Sequence, residues 1–152
     1  MLFLSVTEGS VPRWLWLVPL AILVPETVLD IRKKTVMVFP IILGSLAGII
    51  INLAAGNGIM KLLAGCIPGL FLLLISIAAG DCIGKGDGEI TVMIGLFLGF
   101  TETVWVLFFA LVTAMVFCLG LLVTKRAGRK SRIPFVPFLL AGMIIRAGTI
   151  LC

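Results

Sequence analysis

Long apolar runs, separated by short polar or charged stretches, make up most of the chain. Six runs predict membrane segments, at roughly residues 14–29, 36–55, 59–80, 90–100, 103–123 and 134–150. A helix needs about 20 residues to cross a bilayer, so we expect the short fourth run to begin within the depth of the membrane or to reach inward from a cavity. The pattern predicts an all-α, polytopic membrane protein with about six transmembrane helices, forming a single domain over residues 1–152.

Small and polar residues inside these runs predict how the first two segments pack. Pro19 and Pro25 should kink the first segment or shorten its final turn, because proline interrupts helical hydrogen bonding. In the second segment, Gly44 and Gly48 form a small-xxx-small pair that permits close helix packing. Asn52, on the same segment, is expected to hydrogen-bond across to a neighbouring helix.

The fourth segment follows the same principle. Gly95 and Gly99 mark one face of it for close packing, and Thr101-Glu102 interrupts the apolar run before the fifth segment. We therefore expect the fourth segment to lie against another helix at very short range.

Two polar stretches carry the candidate chemistry. The first is a charged loop predicted over residues 26–35, which contains Asp30, and the second is a central loop over residues 81–89 with the sequence Gly84-Lys85-Gly86-Asp87-Gly88-Glu89. A carboxylate so close to a hydrocarbon-length segment is costly, and such residues are functional candidates by default. Glycines leave the backbone open to approach by another chain. We predict that Asp30 and Asp87 form a pair.

Composition supports the membrane assignment and excludes several kinds of site. The chain is 61% hydrophobic and 12% charged, against about 45–50% and 25% in soluble domains, and its mean hydropathy is +1.29. It contains no histidine, which excludes a histidine-based triad, relay or zinc site. No metal or cofactor is expected. The cysteines form no CxxC, so we predict structural roles for Cys66, Cys82, Cys118 and Cys152. The first ten residues predict no removable signal peptide.

The net charge of +5 is interpreted as a topology signal and not as a nucleic-acid footprint. With six spans, the first, third and fifth loops share a face and hold three, one and five lysines and arginines. The opposite side holds Arg13, Lys61 and Arg146. Because positive residues stay in the cytoplasm, both termini should lie outside the cell membrane. Asp30 and Asp87 then share the cytoplasmic face.

Two carboxyl groups held together cannot easily both ionise, so one takes up a proton and the pair titrates as a unit. Such a pair can activate water as a general base and protonate the carbonyl oxygen or leaving amine as a general acid. This is the chemistry of aspartic peptidases, and it needs neither histidine nor metal. A bound peptide would have to be extended, and Gly84, Gly86 and Gly88 would let its backbone approach.

Each acidic residue also has a purely structural interpretation. Asp30 lies beside three basic residues and would serve equally as a salt-bridged topology anchor. Asp87 would serve as a helix N-cap. We interpret Glu26 and Asp81 as solvated boundary residues, and Glu89 as a favourable charge in the first turn of the fourth helix.

Three stretches together resemble the type IV prepilin peptidase family, the membrane aspartic peptidases with a GxGD signature. Residues 30–34 resemble the Asp-x-Lys/Arg stretch after the first helix of that family. Residues 84–87, followed by two spaced glycines, resemble the GxGD loop and its short helix. Residues 132–138 resemble the Ile-Pro-Phe-x-Pro opening of the last helix. Because the three occur in order and with six spans, the likeness covers nearly the whole chain.

The resemblance implies an aspartic endopeptidase whose catalytic residues are Asp30 and Asp87. It implies cleavage of a short basic leader from prepilin-like or pseudopilin-like precursors, on the cytoplasmic side and just before their hydrophobic segment. Gly84, Gly86, Gly88 and Glu89 would then shape the loop or contact the substrate.

The chain also departs from the family. Many bacterial members carry an N-terminal region with paired cysteines that is linked to methylation, and its absence here leads us to expect peptidase activity without methyltransferase activity. Glu89 replaces a common lysine, and Thr35-Val36-Met37 replaces the usual Ile-Pro-Asn/Asp.

Two other functions use the same features. One is a non-catalytic membrane assembly protein of a pilus or secretion apparatus. The other is a small proton-coupled transporter, which is less favoured because both acids lie at one face and not near the midplane, where transporter sites usually lie.

Overall fold

The computed structural model describes residues 14–33, 38–56, 58–78, 85–123 and 135–151. These ranges hold six helices and no strand: α1 (Trp14–Lys33), α2 (Val38–Ala54), α3 (Ile59–Ala78), α4 (Lys85–Leu98), α5 (Phe100–Val123) and α6 (Val136–Leu151). The predicted all-α class is therefore confirmed for the described part of the chain.

Two of the predicted loops are wrong in the same way, because helices extend into them. Helix α1 continues through most of the predicted loop 26–35 and ends at Lys33, so Pro19 and Pro25 do not shorten it. Helix α4 begins at Lys85, so residues 85–89 of the predicted central loop are helical. In both places the residues are exposed on one side of the helix and buried on the other. Packing of the buried side against neighbouring helices favours the helix over an exposed loop.

The junction between α4 and α5 is a single glycine. Gly99 has a φ of +82°, a left-handed conformation that favours glycine, and its N–H donates to the carbonyl of Gly95 at 2.9 Å. The predicted break at Thr101-Glu102 is therefore wrong by two residues, since both belong to the first turn of α5. A Cβ on Gly99 would meet only the Cε of Lys61, at 3.7 Å, so its φ accounts for glycine here; its Cα nevertheless lies close to α3, 3.4 Å from the Cβ position of Gly65.

Helix α4 lies at the centre of the bundle. It contacts α1, α2, α3 and α5. From Ile90 to Leu98 almost every side chain is buried, which is unusual for a helix with one apolar stripe and typical of one surrounded on all sides. The placement of the N-terminal end of α4, where Asp87 lies, is consequently fixed by the packing of its neighbours.

Helices α3 and α4 run antiparallel at very short range. A Cβ atom built on Gly65 would overlap the carbonyl oxygen of Gly95, and one built on Gly95 would overlap that of Gly65. One turn further along, a Cβ on Gly69 would collide with the backbone of Val92. The predicted close packing of the fourth segment is confirmed at Gly95.

Helix α2 packs alongside α4 in the parallel direction. A Cβ on Gly44 would lie 2.6 Å from the sulfur of Met93, and one on Gly48 would lie 3.2 Å from Leu96. Asn52 donates a hydrogen bond from Nδ2 to the carbonyl of Leu96 at 2.7 Å. The predictions that this glycine pair allows close packing and that Asn52 bonds to a neighbouring helix are both confirmed.

Helices α5 and α6 form an antiparallel pair. A Cβ on Gly142 would meet the carbonyl oxygen of Val106 at 2.5 Å, so these helices also approach closely. Near the start of α5, Arg146 donates two hydrogen bonds to Glu102, at 2.7 and 3.0 Å, and its guanidinium lies 5.5 Å from the ring centroid of Trp105. Because this contact joins the start of α5 to the later part of α6, the start of α6 lies at the other end of the bundle.

The outer faces of α2, α3 and α5 expose large apolar side chains, among them Phe39, Leu46, Ile50, Leu63, Leu70, Leu74, Val112, Met115 and Val116. By length and composition, two of the described helical stretches could cross a membrane: Ile59–Ala78 and Phe100–Leu121. Val38–Ala54 and Val136–Thr149 are apolar but shorter.

Candidate active site

Asp30 lies on the last turns of α1, with only 7% of its surface exposed. It is a helical residue and not the loop residue that the sequence predicted. Its Oδ2 accepts a hydrogen bond from the backbone N–H of Val136, the first residue of α6, at 3.3 Å. It makes no ion pair within the described ranges, and Arg32 on the same turn is exposed. The interpretation of Asp30 as a salt-bridged anchor therefore has no support from Arg32, and the side chains of Lys33 and Lys34 lie outside the described part of the structure.

Asp87 lies in the first turn of α4 and is 6% exposed. It is the third residue of the helix, so the alternative that it serves as the N-cap is wrong. Its backbone carbonyl accepts a hydrogen bond from the hydroxyl of Thr91 at 2.7 Å. Thr91 is itself buried, which places a satisfied polar contact directly behind Asp87.

The two aspartates lie at the same end of the bundle. Helix α4 runs from Lys85 to the junction at Gly99, so Asp87 lies at the end of α4 away from that junction. Helix α5 packs back against α4, since Val106 and Ala110 belong to the same buried cluster as Ile90 and Met93. Helix α6 returns antiparallel to α5 and also begins away from the junction, and Asp30 contacts its first residue. Helix α1 also contacts α4 directly. The fold therefore collects two buried carboxyl groups from residues far apart in sequence at the end where α4 and α6 begin.

Burial and the nearby start of α6 shift the pKa of Asp30 in opposite directions. The residue follows the apolar stretch 14–29 and belongs to the charged final turn of α1. Burial raises the pKa of Asp30 because it penalises the charged form, and the hydrogen bond from Val136 lowers it by a smaller amount. The start of α6 also favours a negative charge at this point through its helix dipole.

The family model for the type IV leader peptidase family matches residues 14–119, which include Asp30 and Asp87. The chain belongs to the type IV leader peptidase family. The resemblance to this family is confirmed over residues 14–119, and it supports a prepilin-type leader peptidase kind of function; the third stretch, residues 132–138, lies beyond the matched range. No curated protein and no solved structure gives a significant match to the chain.

The residues predicted to shape the leader peptidase loop behave differently from one another. Gly84 lies outside the described residues. Gly86 and Glu89 are half-buried residues of α4 and not parts of a loop. Gly88 is buried, and a Cβ there would lie 2.5 Å from the Cγ of Leu73 on α3. Gly88 therefore lets α3 and α4 pack together, and it does not leave backbone open to a peptide.

Two polar residues beside Asp30 were not predicted as site residues in this leader peptidase family member. Glu26 is 1% exposed, so its interpretation as a solvated boundary residue is wrong. Thr27 is 8% exposed, and its hydroxyl has no hydrogen-bond partner among the described residues. Both precede Asp30 by one helical turn, at the i−4 and i−3 positions that share its face. That spacing was the available signal, but it required the helix to continue past residue 29. Asp81 lies outside the described residues.

Within the described part of the chain, no group of three His, Cys, Asp or Glu side chains is placed to hold a metal ion. The chemistry available at this end of the bundle is that of carboxyl groups, a hydroxyl and the backbone N–H at the start of α6.

Proposed function

We propose that this protein is an aspartic endopeptidase that removes the basic leader peptide of type IV prepilin-like precursors, with Asp30 and Asp87 as its general acid and base. The observation that carries the proposal is the presence of two buried carboxyl groups at one end of the bundle in a member of a leader peptidase family. No other described feature of the chain offers a comparable set of reactive groups.

The reaction follows from the properties of such a pair. One carboxylate takes a proton from a water molecule as the water attacks the carbonyl carbon of the scissile peptide bond. The other, protonated carboxyl donates to the carbonyl oxygen, which stabilises the tetrahedral intermediate. Collapse of the intermediate breaks the C–N bond: the first aspartic acid gives its proton to the leaving amine, and one hydroxyl of the intermediate returns its proton to the second aspartate as the C=O bond re-forms. The pair is thereby restored to its starting protonation state.

The proposed setting is the cytoplasmic membrane, with the single domain crossing it about six times. The exposed apolar faces of α2, α3 and α5 suit contact with lipid. Helix α4 has 14 residues and a length of about 21 Å, less than the roughly 30 Å of the hydrocarbon core. Because neighbouring helices surround it, a short α4 can hold Asp87 below the membrane surface. The distribution of lysine and arginine favours the cytoplasmic side for the aspartates and the outside for both termini.

The test is cleavage of candidate prepilin-like precursors by the full chain purified in detergent. We expect D30N and D87N each to lower kcat by roughly 10²-fold or more, because each removes one proton-transfer group. E102Q is the matched control, since it neutralises a carboxyl group at the opposite end of the bundle. It should retain cleavage. Chelators and serine-directed inhibitors should have no effect, and mass spectrometry of the products should place the cut before the hydrophobic segment of the precursor.

The same variants separate the proposal from the two other functions. An assembly protein should support pilus or secretion-apparatus assembly with D87N as well as it does with aspartate. A transporter should carry protons or ions in liposomes and leave every precursor intact. Cleavage by D87N at the wild-type rate would contradict the assignment of Asp87.

A further inference from the structure

The hydroxyl of Thr27 is the buried polar group that the described structure leaves unexplained. Its Oγ1 is enclosed, with no hydrogen-bond partner among the described residues. Leaving such a group unpaired costs about 1–3 kcal/mol. Buried polar groups are paired in the great majority of cases, and an exception calls for a specific explanation.

Other threonines in the bundle show what Thr27 does not do. Thr91, Thr103 and Thr113 each donate the hydroxyl hydrogen to the carbonyl four residues earlier, at 2.7–2.8 Å. A helical threonine has this back-bond available because its χ1 angle can occupy two wells. Thr27 lies within a helix and could bond to the carbonyl of Leu23 in the same manner, yet its hydroxyl is not used there.

Asp30 lies one helical turn from Thr27 and has acceptor capacity to spare. A carboxylate offers about four acceptor positions, and Asp30 uses one of them in the described structure, in a 3.3 Å bond to Val136. Thr27 and Asp30 are three residues apart on the buried face of α1, where Cβ atoms are about 5–6 Å apart. A hydroxyl and a carboxylate can close that separation to hydrogen-bond length by rotation about one side-chain bond.

We propose that Thr27 is a positioning residue of the peptidase site, whose hydroxyl donates a hydrogen bond to ionised Asp30 and fixes the orientation of its carboxylate. The inference rests on the proposed function in one respect, the assignment of Asp30 to catalysis. The bond itself is a property of the folded chain and is measurable without substrate.

The groups around Asp30 make this donor important. The other ionisable residues on its own helix are Glu26, Arg32 and Lys33, and those on α4 are Lys85, Asp87 and Glu89. Of these, Glu26 and Asp87 are buried and Arg32 is exposed. Helix α2 carries no ionisable residue, and the only one on α6 is Arg146, at its far end. The N–H of Val136 is a neutral donor to Asp30, and the hydroxyl of Thr27, one turn earlier on the same face, is a second neutral group able to orient it beside the buried Glu26 and Asp87.

The first experiment compares T27V, T27S and T103V in precursor cleavage. T27V removes the hydroxyl and keeps the shape, so we expect kcat to fall roughly 10- to 100-fold with KM within twofold. T27S keeps the hydroxyl and should retain kcat within about threefold. T103V is the matched control, because it removes a buried threonine hydroxyl near the opposite end and should leave kcat unchanged. Because T27V also loses the proposed bond in the folded state, its melting temperature should fall slightly, and cleavage is compared well below the melting temperatures of all variants.

The second experiment measures the bond without substrate. A hydrophobic carbodiimide reacts with protonated carboxyl groups, and mass spectrometry of peptide fragments reports its addition to Asp30 separately from Glu26. Without the donor, a larger share of Asp30 is protonated at a given pH, so T27V should be labelled severalfold faster than wild type, T27S or T103V.

Each outcome decides the matter. Wild-type kcat in T27V, or equal impairment in T27V and T27S, would overturn the positioning role. Equal labelling of Asp30 in all four proteins would overturn the hydrogen bond. If wild type cleaves no precursor but labelling still depends on Thr27, the proposed function fails while the contact stands.

Discussion

The backbone contact between Gly65 and Gly95 predicts a large effect from adding a single methyl group. In G95A the new Cβ would overlap the carbonyl oxygen of Gly65, and in G65A it would overlap that of Gly95. Because both obstacles are backbone atoms, no side chain can rotate away, and α3 and α4 must move apart. Helix α4 carries Asp87, so the displacement reaches the candidate site.

The magnitude follows from two opposing contributions. Alanine is favoured over glycine in a helix interior by about 1 kcal/mol. Overpacking a tight contact costs about 1–3 kcal/mol, and the rigid backbone places G95A at the upper end of that range. We therefore expect a net loss of about 2 kcal/mol of stability, which corresponds to a fall of about 4–8 °C in Tm for a domain of this size. At Gly148, where no atom lies within 4 Å of an added Cβ, G148A should be neutral or slightly stabilising.

The assay is thermal unfolding in detergent, followed through the three tryptophans of the chain. The double variant G65A/G95A is the sharper test, because helices that have separated to admit one methyl group have already made room for the second. The stability lost in the double variant should be clearly smaller than the sum of the losses in the two single variants. Precursor cleavage, measured below the Tm of all variants, should also fall. Unchanged Tm in G95A, or fully additive losses in the double variant, would refute the reasoning.

Three further predictions concern polar contacts. In N52L the bond to the carbonyl of Leu96 is lost, which should lower stability by about 1 kcal/mol, as found for interhelical hydrogen bonds in membranes, measured by the same unfolding assay. E102A should lower stability by roughly 1–3 kcal/mol, because it leaves the guanidinium of Arg146 without its partly buried partner, while cleavage below the Tm is retained; loss of cleavage with normal stability would contradict this. Burial raises the pKa of Asp30, so folding favours its protonated form, and wild type should lose stability relative to D30N as pH rises from the ordinary carboxyl pKa through the raised one. A stability difference that does not depend on pH would contradict this last prediction.

The sequence was sufficient for the helices and for much of their packing. Apolar runs located all six helices of the described chain, since hydrophobicity over a membrane-length window is a strong local signal. Gly44, Gly48 and Gly95 were also predictable as close contacts, because small residues at regular spacing have few other uses in an apolar helix. These features depend on residues that are near one another in the chain.

The helix ends were not predictable in the same way. Residues 26–33 read as a charged loop because three basic residues follow Asp30, yet Glu26, Thr27 and Asp30 are buried on one face of a continuing helix. Which side of that turn is buried depends on α4 and α6, which come much later in the chain. The same holds for Gly88, whose contact with Leu73 on α3 is a property of the fold and not of the GxGD sequence.

The two ends of the bundle treat their polar residues differently, and the difference bears on function. At the start of α5, Glu102 and Arg146 satisfy each other with two short hydrogen bonds, an arrangement that stabilises and needs no further partner. At the start of α6, Asp30 has one long bond, and Thr27 has none in the described ranges. A fold under selection for stability alone would replace such groups with apolar residues. Their retention beside the start of α6 is expected where a carboxylate must stay available to water and substrate, and it gives the physical reason to seek catalysis at this end.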